Sequence, residues 1–162
     1  MDEGYEALTL MQTGKALIIP IVLIDRPEGG YWETWMRFFK EHLLKLGLIS
    51  SDDFSLFKIA HNVDAAVRDI VQFYKNYHSV RWVGEQFVIR IRQPLTQAAV
   101  AELNTRFADV LRAGEIMQGG PLRQEQNEPD ILALPRLILT PHRRDFGRIR
   151  ELIDAINQSS VR

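Results

Sequence analysis

The sequence predicts a mixed α/β fold built from two modules. In the first half of the chain, helical patterns alternate with short apolar runs, which is typical of α/β proteins with a parallel sheet. The apolar run over residues 16–24 indicates a strand that is buried on both faces, as the strands of parallel sheets are. The second half predicts the order βαββα, which suits a small α+β sandwich of the ferredoxin or ACT type.

Composition excludes several functional classes. The chain has 162 residues, 46% hydrophobic and 25% charged, as expected of one or two globular domains. Its formal net charge of −1 lacks the basic excess of nucleic-acid-binding proteins, so we expect no nucleic-acid partner. Cysteine is absent, which favours a cytoplasmic location without disulfides or thiolate metal sites. The longest apolar run is shorter than the ~20 residues that span a bilayer, so no membrane partner is expected.

A change in basic residues places the predicted domain boundary. All lysines precede residue 79, and every basic residue after it is arginine. Residues 1–78 carry 8 basic and 11 acidic side chains, whereas residues 79–162 carry 12 and 10. We therefore predict one domain over 1–78 and a second over 79–162, with residues 76–79 as the linker.

The first module is predicted to open with a helix that ends at Gly14, because glycine is the usual residue after a helix. Pro20 limits the hydrogen-bonded part of the first strand to residues 21–24, since proline cannot donate to a neighbouring strand. The remaining elements are a helix over 31–46, a short helix from Asp52, a strand over 56–60 and a helix over 63–74 capped by Asn62.

The second module is predicted to contain three strands and two helices. These are a strand over 86–92, a helix over 96–111, strands over 114–118 and 136–140, and a helix over 145–157. A polar loop separates the second and third strands. Compared with a complete ferredoxin-like repeat, we expect one strand or helix to be missing.

Two carboxylates in the first helix are candidates for catalysis. Glu3 and Glu6 are three residues apart, so they lie on the same side of the helix near its amino end. One interpretation is ordinary acidic charge in a first helical turn, which the helix dipole favours. The other is a pair of carboxylates beside a sheet crevice, where one could act as a base or stabilise a cation.

The turn over residues 25–30 is a candidate binding segment, because α/β folds bind ligands where a strand turns into a helix. Asp25, Gly30 and Tyr31 could line a pocket there. The alternative is a flexible turn followed by an aromatic residue that anchors packing.

A second candidate binding segment lies near the predicted boundary. His78 and Arg81 form a polar cluster that could bind an anionic ligand, although a hydrogen-bonded linker explains the same residues. The four histidines show no metal-ligand spacing, so no metal site is predicted.

The chain begins with Met1, Asp2 and Glu3, which match the last three positions of the motif P-G-G-x-G-T-x-x-E. In this the amino-terminal residues resemble the LOG (lonely guy) family, phosphoribohydrolases long labelled lysine decarboxylases, in which that motif occurs. The resemblance continues through GYEALTLMQTGK, PIVL and GYW, and then through Tyr77-His78-Ser79 and the second module of longer bacterial members. The chain as a whole resembles the C-terminal part of these proteins.

The resemblance implies a fold and an activity. The first module would be the C-terminal half of a Rossmann-like sheet, and the second its α+β extension. The implied reaction is hydrolysis of a nucleoside 5′-monophosphate to free base and ribose 5-phosphate, without metal or organic cofactor. Glu3 matches the motif glutamate, which would activate water or stabilise an oxocarbenium-like ribose, and Glu6 matches a second acidic position.

The P-G-G-x-G-T segment and the family's active-site arginine have no counterpart in this sequence. We therefore expect the chain alone to be inactive or impaired, and whether it is an enzyme stays open. Either Met1 is an internal start of a longer enzyme, or the chain is a non-catalytic oligomerisation or ligand-sensing module. Since a half sheet leaves an unpaired face, we also predict a homo-oligomer.

Overall fold

The computed structural model describes residues 2–144 and 146–162, so Met1 and the predicted first residue of the last helix, Asp145, lie outside it. The fold is mixed α/β, with a two-strand parallel sheet and a four-strand antiparallel sheet. No helix in the described part of the chain is long and apolar enough to cross a membrane. The chain forms two compact units: Met1–Gln72 with Arg144–Arg150, and Phe73–Arg143 with Glu151–Arg162.

The elements of the first unit follow the predicted order. They are α1 (Asp2–Gln12), β1 (Ile21–Ile24), α2 (Tyr31–Phe38), a π-helical segment (Phe39–Leu44), a 3₁₀ helix (Ser51–Leu56), β2 (Phe57–Ala60) and α3 (Val63–Phe73). Gly14 ends α1 with a φ of 68°, a conformation that glycine adopts without strain. Asn62 caps α3, because its Oδ1 accepts a 2.8 Å hydrogen bond from Ala65 N. The predicted helix over 31–46 is confirmed in place, but it changes to π geometry at Phe39.

An aromatic cluster forms the core of the first unit. Trp35, Phe39 and Phe57 are buried together. Tyr5 of α1 stacks on Phe39 with ring centroids 5.5 Å apart, and Trp35 lies 4.0 Å from Phe39. Buried aromatic rings contribute large apolar areas, so this cluster fixes α1 and α2 together.

The prediction that residues 16–24 are buried on both faces is wrong. β1 pairs in parallel with β2, with Ile21 opposite Phe57, and that is its one strand partner in the described chain. Leu17 and Ile19, which precede β1, and Ile24 at its end are exposed. A strand is covered on both faces only when further elements pack around it.

The second unit contains an antiparallel sheet and two helices. Its elements are β3 (Tyr77–Val83), β4 (Gln86–Ile91), α4 (Gln97–Arg106), a 3₁₀ turn (Ala108–Val110), β5 (Leu111–Gly119), β6 (Arg136–Pro141) and α5 (Phe146–Gln158), which begins in the first unit. The strand order is β3-β4-β6-β5.

The predicted order βαββα lacks the strand β3, so the observed order is ββαββα. Residues 76–79, predicted as a linker, are instead Asn76 and the first three residues of this strand, of which Asn76 and Tyr77 are buried. Asn157 Oδ1 accepts hydrogen bonds of 2.8 Å from both Asn76 N and Tyr77 N. His78 and Arg81 obscured the strand in the sequence, because an edge strand of this kind carries polar side chains that resemble a loop.

The two faces of the antiparallel sheet differ in chemistry. Directly opposite residues of paired strands point to the same face. Phe87 lies opposite Leu139 and Ile89 opposite Leu137, and all four are buried. The other face pairs Arg90 with Arg136. One face therefore belongs to an apolar core and the other carries buried positive charge.

Candidate functional site

The predicted carboxylates lie on the exposed side of α1. Glu3 and Glu6 are both exposed, whereas Tyr5 and Leu8 pack against the aromatic core. At about 100° per residue, Glu6 is rotated about 100° and Glu3 about 160° from Tyr5 around the helix axis. The two carboxylates thus share the amino end of α1 and are open to solvent.

The turn before α2 is organised by Asp25. Its Oδ1 accepts a 2.9 Å hydrogen bond from Arg26 N, and its Oδ2 accepts one of 3.4 Å from Trp32 N. The indole Nε1 of Trp32 donates to Ile24 O at 3.1 Å. Asp25 therefore orients the first turn of α2 and satisfies one of its free N–H groups.

An aromatic cleft follows this turn. It is an open cavity of about 650 Å³, within the range usual for small-molecule sites. Trp35 forms its buried base, and Tyr31 and Phe38 are 55% and 46% exposed. The indole Nε1 of Trp35 is buried without a hydrogen-bond partner among the described residues. The cleft is lined by Tyr5, Gly30, Tyr31, Thr34, Trp35 and Phe38.

His78 and Arg81 lie in the second unit, on β3. Ser79 is opposite Arg90, and Arg90 is opposite Arg136, so these three side chains form a row across β3, β4 and β6. Arg81 is two residues beyond Ser79 and shares their face of the sheet. We call Arg81, Arg90 and Arg136 the arginine face.

Glu125 neutralises the buried part of the arginine face. This glutamate is fully buried, and Arg90 and Arg136 are 5% and 0% exposed. Its Oε1 lies 2.9 Å from Arg90 Nε and 2.7 Å from Arg90 Nη2. Its Oε2 lies 3.3 Å from Arg136 Nε and accepts a 3.0 Å hydrogen bond from Leu122 N.

A second glutamate, Glu128, lies at the exposed edge of the same cluster. Its Oε2 is 2.9 Å from Arg90 Nη2, and its Oε1 pairs with Arg81 Nη1. Both Arg81 and Glu128 are more than a third exposed, with side-chain exposures of 38% and 35%. The sheet therefore presents one buried and one accessible glutamate to its arginines.

This cluster shifts two pKa values. Burial alone would raise the pKa of Glu125, but the hydrogen bonds from Leu122 N and Arg90, with the charge and hydrogen bond of Arg136, lower it below its ordinary value. Burial lowers the pKa of His78, and the positive charges of Arg92, Arg90 and Arg136 lower it further. His78 is thus neutral at pH 7, and its Nδ1 lies 2.9 Å from Ser79 Oγ.

One comparison with known proteins shows a similarity over the first part of the chain. A family model described as "Possible lysine decarboxylase" matches residues 1–70. This is the historical label of the LOG family, to which the motif resemblance pointed. Residues 1–70 are therefore similar to the LOG family. No curated protein and no solved structure gives a significant match to the chain.

The match covers some predicted site residues and not others. The matched residues 1–70 include Glu3, Glu6, Asp25, Gly30 and Tyr31. Gly30 and Tyr31 both line the aromatic cleft. His78 and Arg81 fall outside the matched residues.

Sequence reasoning missed the arginine face and its glutamates. Arg90 interrupts the apolar run of β4, and Arg136 opens the apolar run of β6. Charged side chains within buried strands need ionic partners, and this was the available signal. The partner Glu125 could not be identified, because it comes from a polar loop 35 residues away along the chain.

Proposed function

We propose that residues 1–70 contribute to the hydrolysis of the N-glycosidic bond of a nucleoside 5′-monophosphate. In this reaction water adds to C1′ of the ribose while the base leaves with the bonding electrons, giving free base and ribose 5-phosphate. The proposal rests on the LOG family match over this segment. It also assigns residues 1–72 to a Rossmann-like sheet and the second unit to a ferredoxin-like extension.

The aromatic cleft is the part of the segment suited to the base. A planar heteroaromatic ring stacks favourably on exposed aromatic side chains, at about 1–3 kcal/mol per base. Tyr31 and Phe38 offer such surfaces, one on each side of the buried Trp35 along α2. Trp35 also lines the cleft and adds apolar aromatic surface to it.

In this proposal the carboxylates of α1 accept a proton and stabilise positive charge. Glu3 accepts a proton from the attacking water or stabilises the positive charge that develops on the ribose. Glu6 provides a second negative charge on the same side of the helix. Both groups are exposed and so accessible to substrate.

Binding is tested by tryptophan fluorescence with adenosine 5′-monophosphate as the probe. The chain has three tryptophans, of which Trp82 lies in the second unit. In a Trp82→Phe variant the tryptophan fluorescence therefore comes from Trp32 and Trp35 alone. We expect saturable quenching, and at least about fivefold weaker binding after Tyr31→Ala, the loss expected when about 1 kcal/mol of stacking is removed.

Hydrolysis is tested by chromatographic detection of released base. Glu3→Gln should lower the rate about 100-fold or more, because a positioned general base contributes 10²–10⁴-fold. Glu41→Gln removes an exposed carboxylate elsewhere in the first unit and is the matched control. Unchanged base release in Glu3→Gln would remove Glu3 from the mechanism. The proposal would be contradicted if adenosine 5′-monophosphate failed to quench the fluorescence of the parent chain.

A further inference from the structure

The arginine face carries more positive than negative charge. Arg81, Arg90 and Arg136 face two glutamates, Glu125 and Glu128. The Nη2 atom of Arg136 is buried and has no hydrogen-bond partner among the residues described. Buried cations are normally paired with anions, so the net positive charge of this cluster favours a carboxylate beside its arginines.

The two glutamates play different parts in this cluster. Glu125 is fully buried and bridges Arg90 and Arg136, so it is built into the sheet. Glu128 is 35% exposed and contacts the arginines Arg81 and Arg90 from the solvent side. The Arg81–Glu128 ion pair is partly exposed on both sides, and such pairs contribute little stability, about 0–1 kcal/mol, so displacing the Glu128 carboxylate from Arg81 costs little.

We propose that Arg81 and Arg90 form a binding site for the carboxylate group of a small molecule, and that the side chain of Glu128 is its internal occupant. The proposal concerns the second unit and is independent of nucleotide hydrolysis.

The geometry of Glu128 indicates the ligand class. Each oxygen of its carboxylate is held by a different arginine, Oε1 by Arg81 and Oε2 by Arg90. A planar group with two acceptor oxygens fits this arrangement, and charge-assisted bonds of this type are about twice as strong as neutral ones. Arg81 is 38% exposed, so an incoming carboxylate reaches it from solvent.

Exchange of the occupant leaves the rest of the cluster paired. When Glu128 is displaced, Glu125 still contacts both Arg90 and Arg136. The hydroxyl of Ser79 lies 3.5 Å from Arg90 Nη1 and provides another polar contact beside the site. Both buried arginines therefore keep a carboxylate contact while the ligand binds.

The test is a titration with propionate, which has the same carboxylate as a glutamate side chain. Binding is followed by the NMR signals of the Arg81 and Arg90 Nε–H groups in the full chain. Because an internal carboxylate competes at a high effective concentration, Glu128→Gln should bind propionate at least about tenfold more tightly than the parent chain. The double variant Arg81→Gln/Glu128→Gln should lose this gain.

Controls separate a specific site from a general charge effect. Glu85→Gln breaks the exposed 2.7 Å pair with Arg112 in the same unit and should leave propionate binding unchanged. Chloride at equal ionic strength should not produce saturable shifts. Three outcomes would each overturn the proposal. The Glu128→Gln variant folds but does not bind propionate, the double variant binds propionate as tightly as Glu128→Gln does, or chloride produces the same shifts as propionate. If Glu128→Gln does not fold, the proposal is tested with the parent chain, which must show saturable propionate shifts at Arg81 and Arg90. Their absence would overturn the proposal.

Discussion

The contribution of Glu125 to the stability of the chain depends on pH. Its pKa in the folded chain is lowered, because the hydrogen bonds from Leu122 N, Arg90 and Arg136 outweigh the opposing effect of burial. In the unfolded chain the same carboxyl titrates near its ordinary pKa of about 4.3. A lowered folded pKa means that Glu125 contributes stability above about pH 4.3, and that this contribution is lost as the pH falls through the folded pKa.

Glu125→Gln tests this contribution. At pH 7 the substitution should lower the free energy of unfolding by about 3–5 kcal/mol, since it leaves Arg90 and Arg136 buried without their carboxylate. The difference from the parent chain should shrink as the pH falls from about 4.3, the unfolded pKa, to below the lowered folded pKa, where the parent glutamate is neutral in both states. Urea denaturation at both pH values measures it. A gap that stays constant with pH would show that Glu125 does not carry this linkage.

At the level of elements, the turn between β1 and α2 depends on the size of residue 29. A Cβ atom at Gly29 would lie 2.0 Å from Asp25 Oδ1, whereas a Cβ at Gly30 would meet nothing within 4 Å. Gly30 has a φ of −128°, which other residues adopt without strain. Residue 29 therefore has to be glycine to leave room for Asp25, whereas residue 30 has space for a larger side chain.

Gly29→Ala should displace Asp25 from the amino end of α2 and destabilise the chain by about 1–2 kcal/mol, the usual cost of losing a helix-capping acceptor. Gly30→Ala is the matched control and should change the free energy of unfolding by less than about 0.5 kcal/mol. Thermal or urea unfolding compares the two. If both substitutions changed the free energy of unfolding equally, the close approach of Asp25 to residue 29 would not be the cause of the destabilisation.

Elements with regular local patterns were predictable, and those that depend on distant partners were not. Residue spacing and capping located β1 and the Asn62-capped helix α3. The strand β3 was not predicted, because its polar residues resemble a loop in the sequence. They are compatible with a strand only through its pairing with β4 and its ion pair to a loop, and both partners are distant in the chain. For the candidate sites, Tyr31 and Gly30 were predicted from the turn, whereas the role of Arg90 required knowledge of Glu125.

At the level of the whole molecule, α3 leaves an apolar stripe exposed beside its packed side. Ala66 is buried, and Asp69 pairs with Lys58 of β2 at 3.3 Å, which fixes α3 on the first unit. The stripe consists of Val63, Val67, Ile70 and Val71, which are 40–65% exposed. Exposed apolar patches on one element are a common sign of an interaction surface.

We predict that a second copy of the chain covers this stripe. An apolar helix side is complementary to itself about a two-fold axis, and the flanking Asp64 and Arg68 let antiparallel copies meet without like-charge repulsion. Val67→Lys should place a charge in the middle of the interface and weaken self-association at least about tenfold, as a loss of 1.4 kcal/mol would. Leu48→Lys, at an exposed leucine outside α3, is the control. Sedimentation over a range of concentrations measures the effect, and a parent chain that remains monomeric, or equal behaviour of the two variants, would refute the prediction.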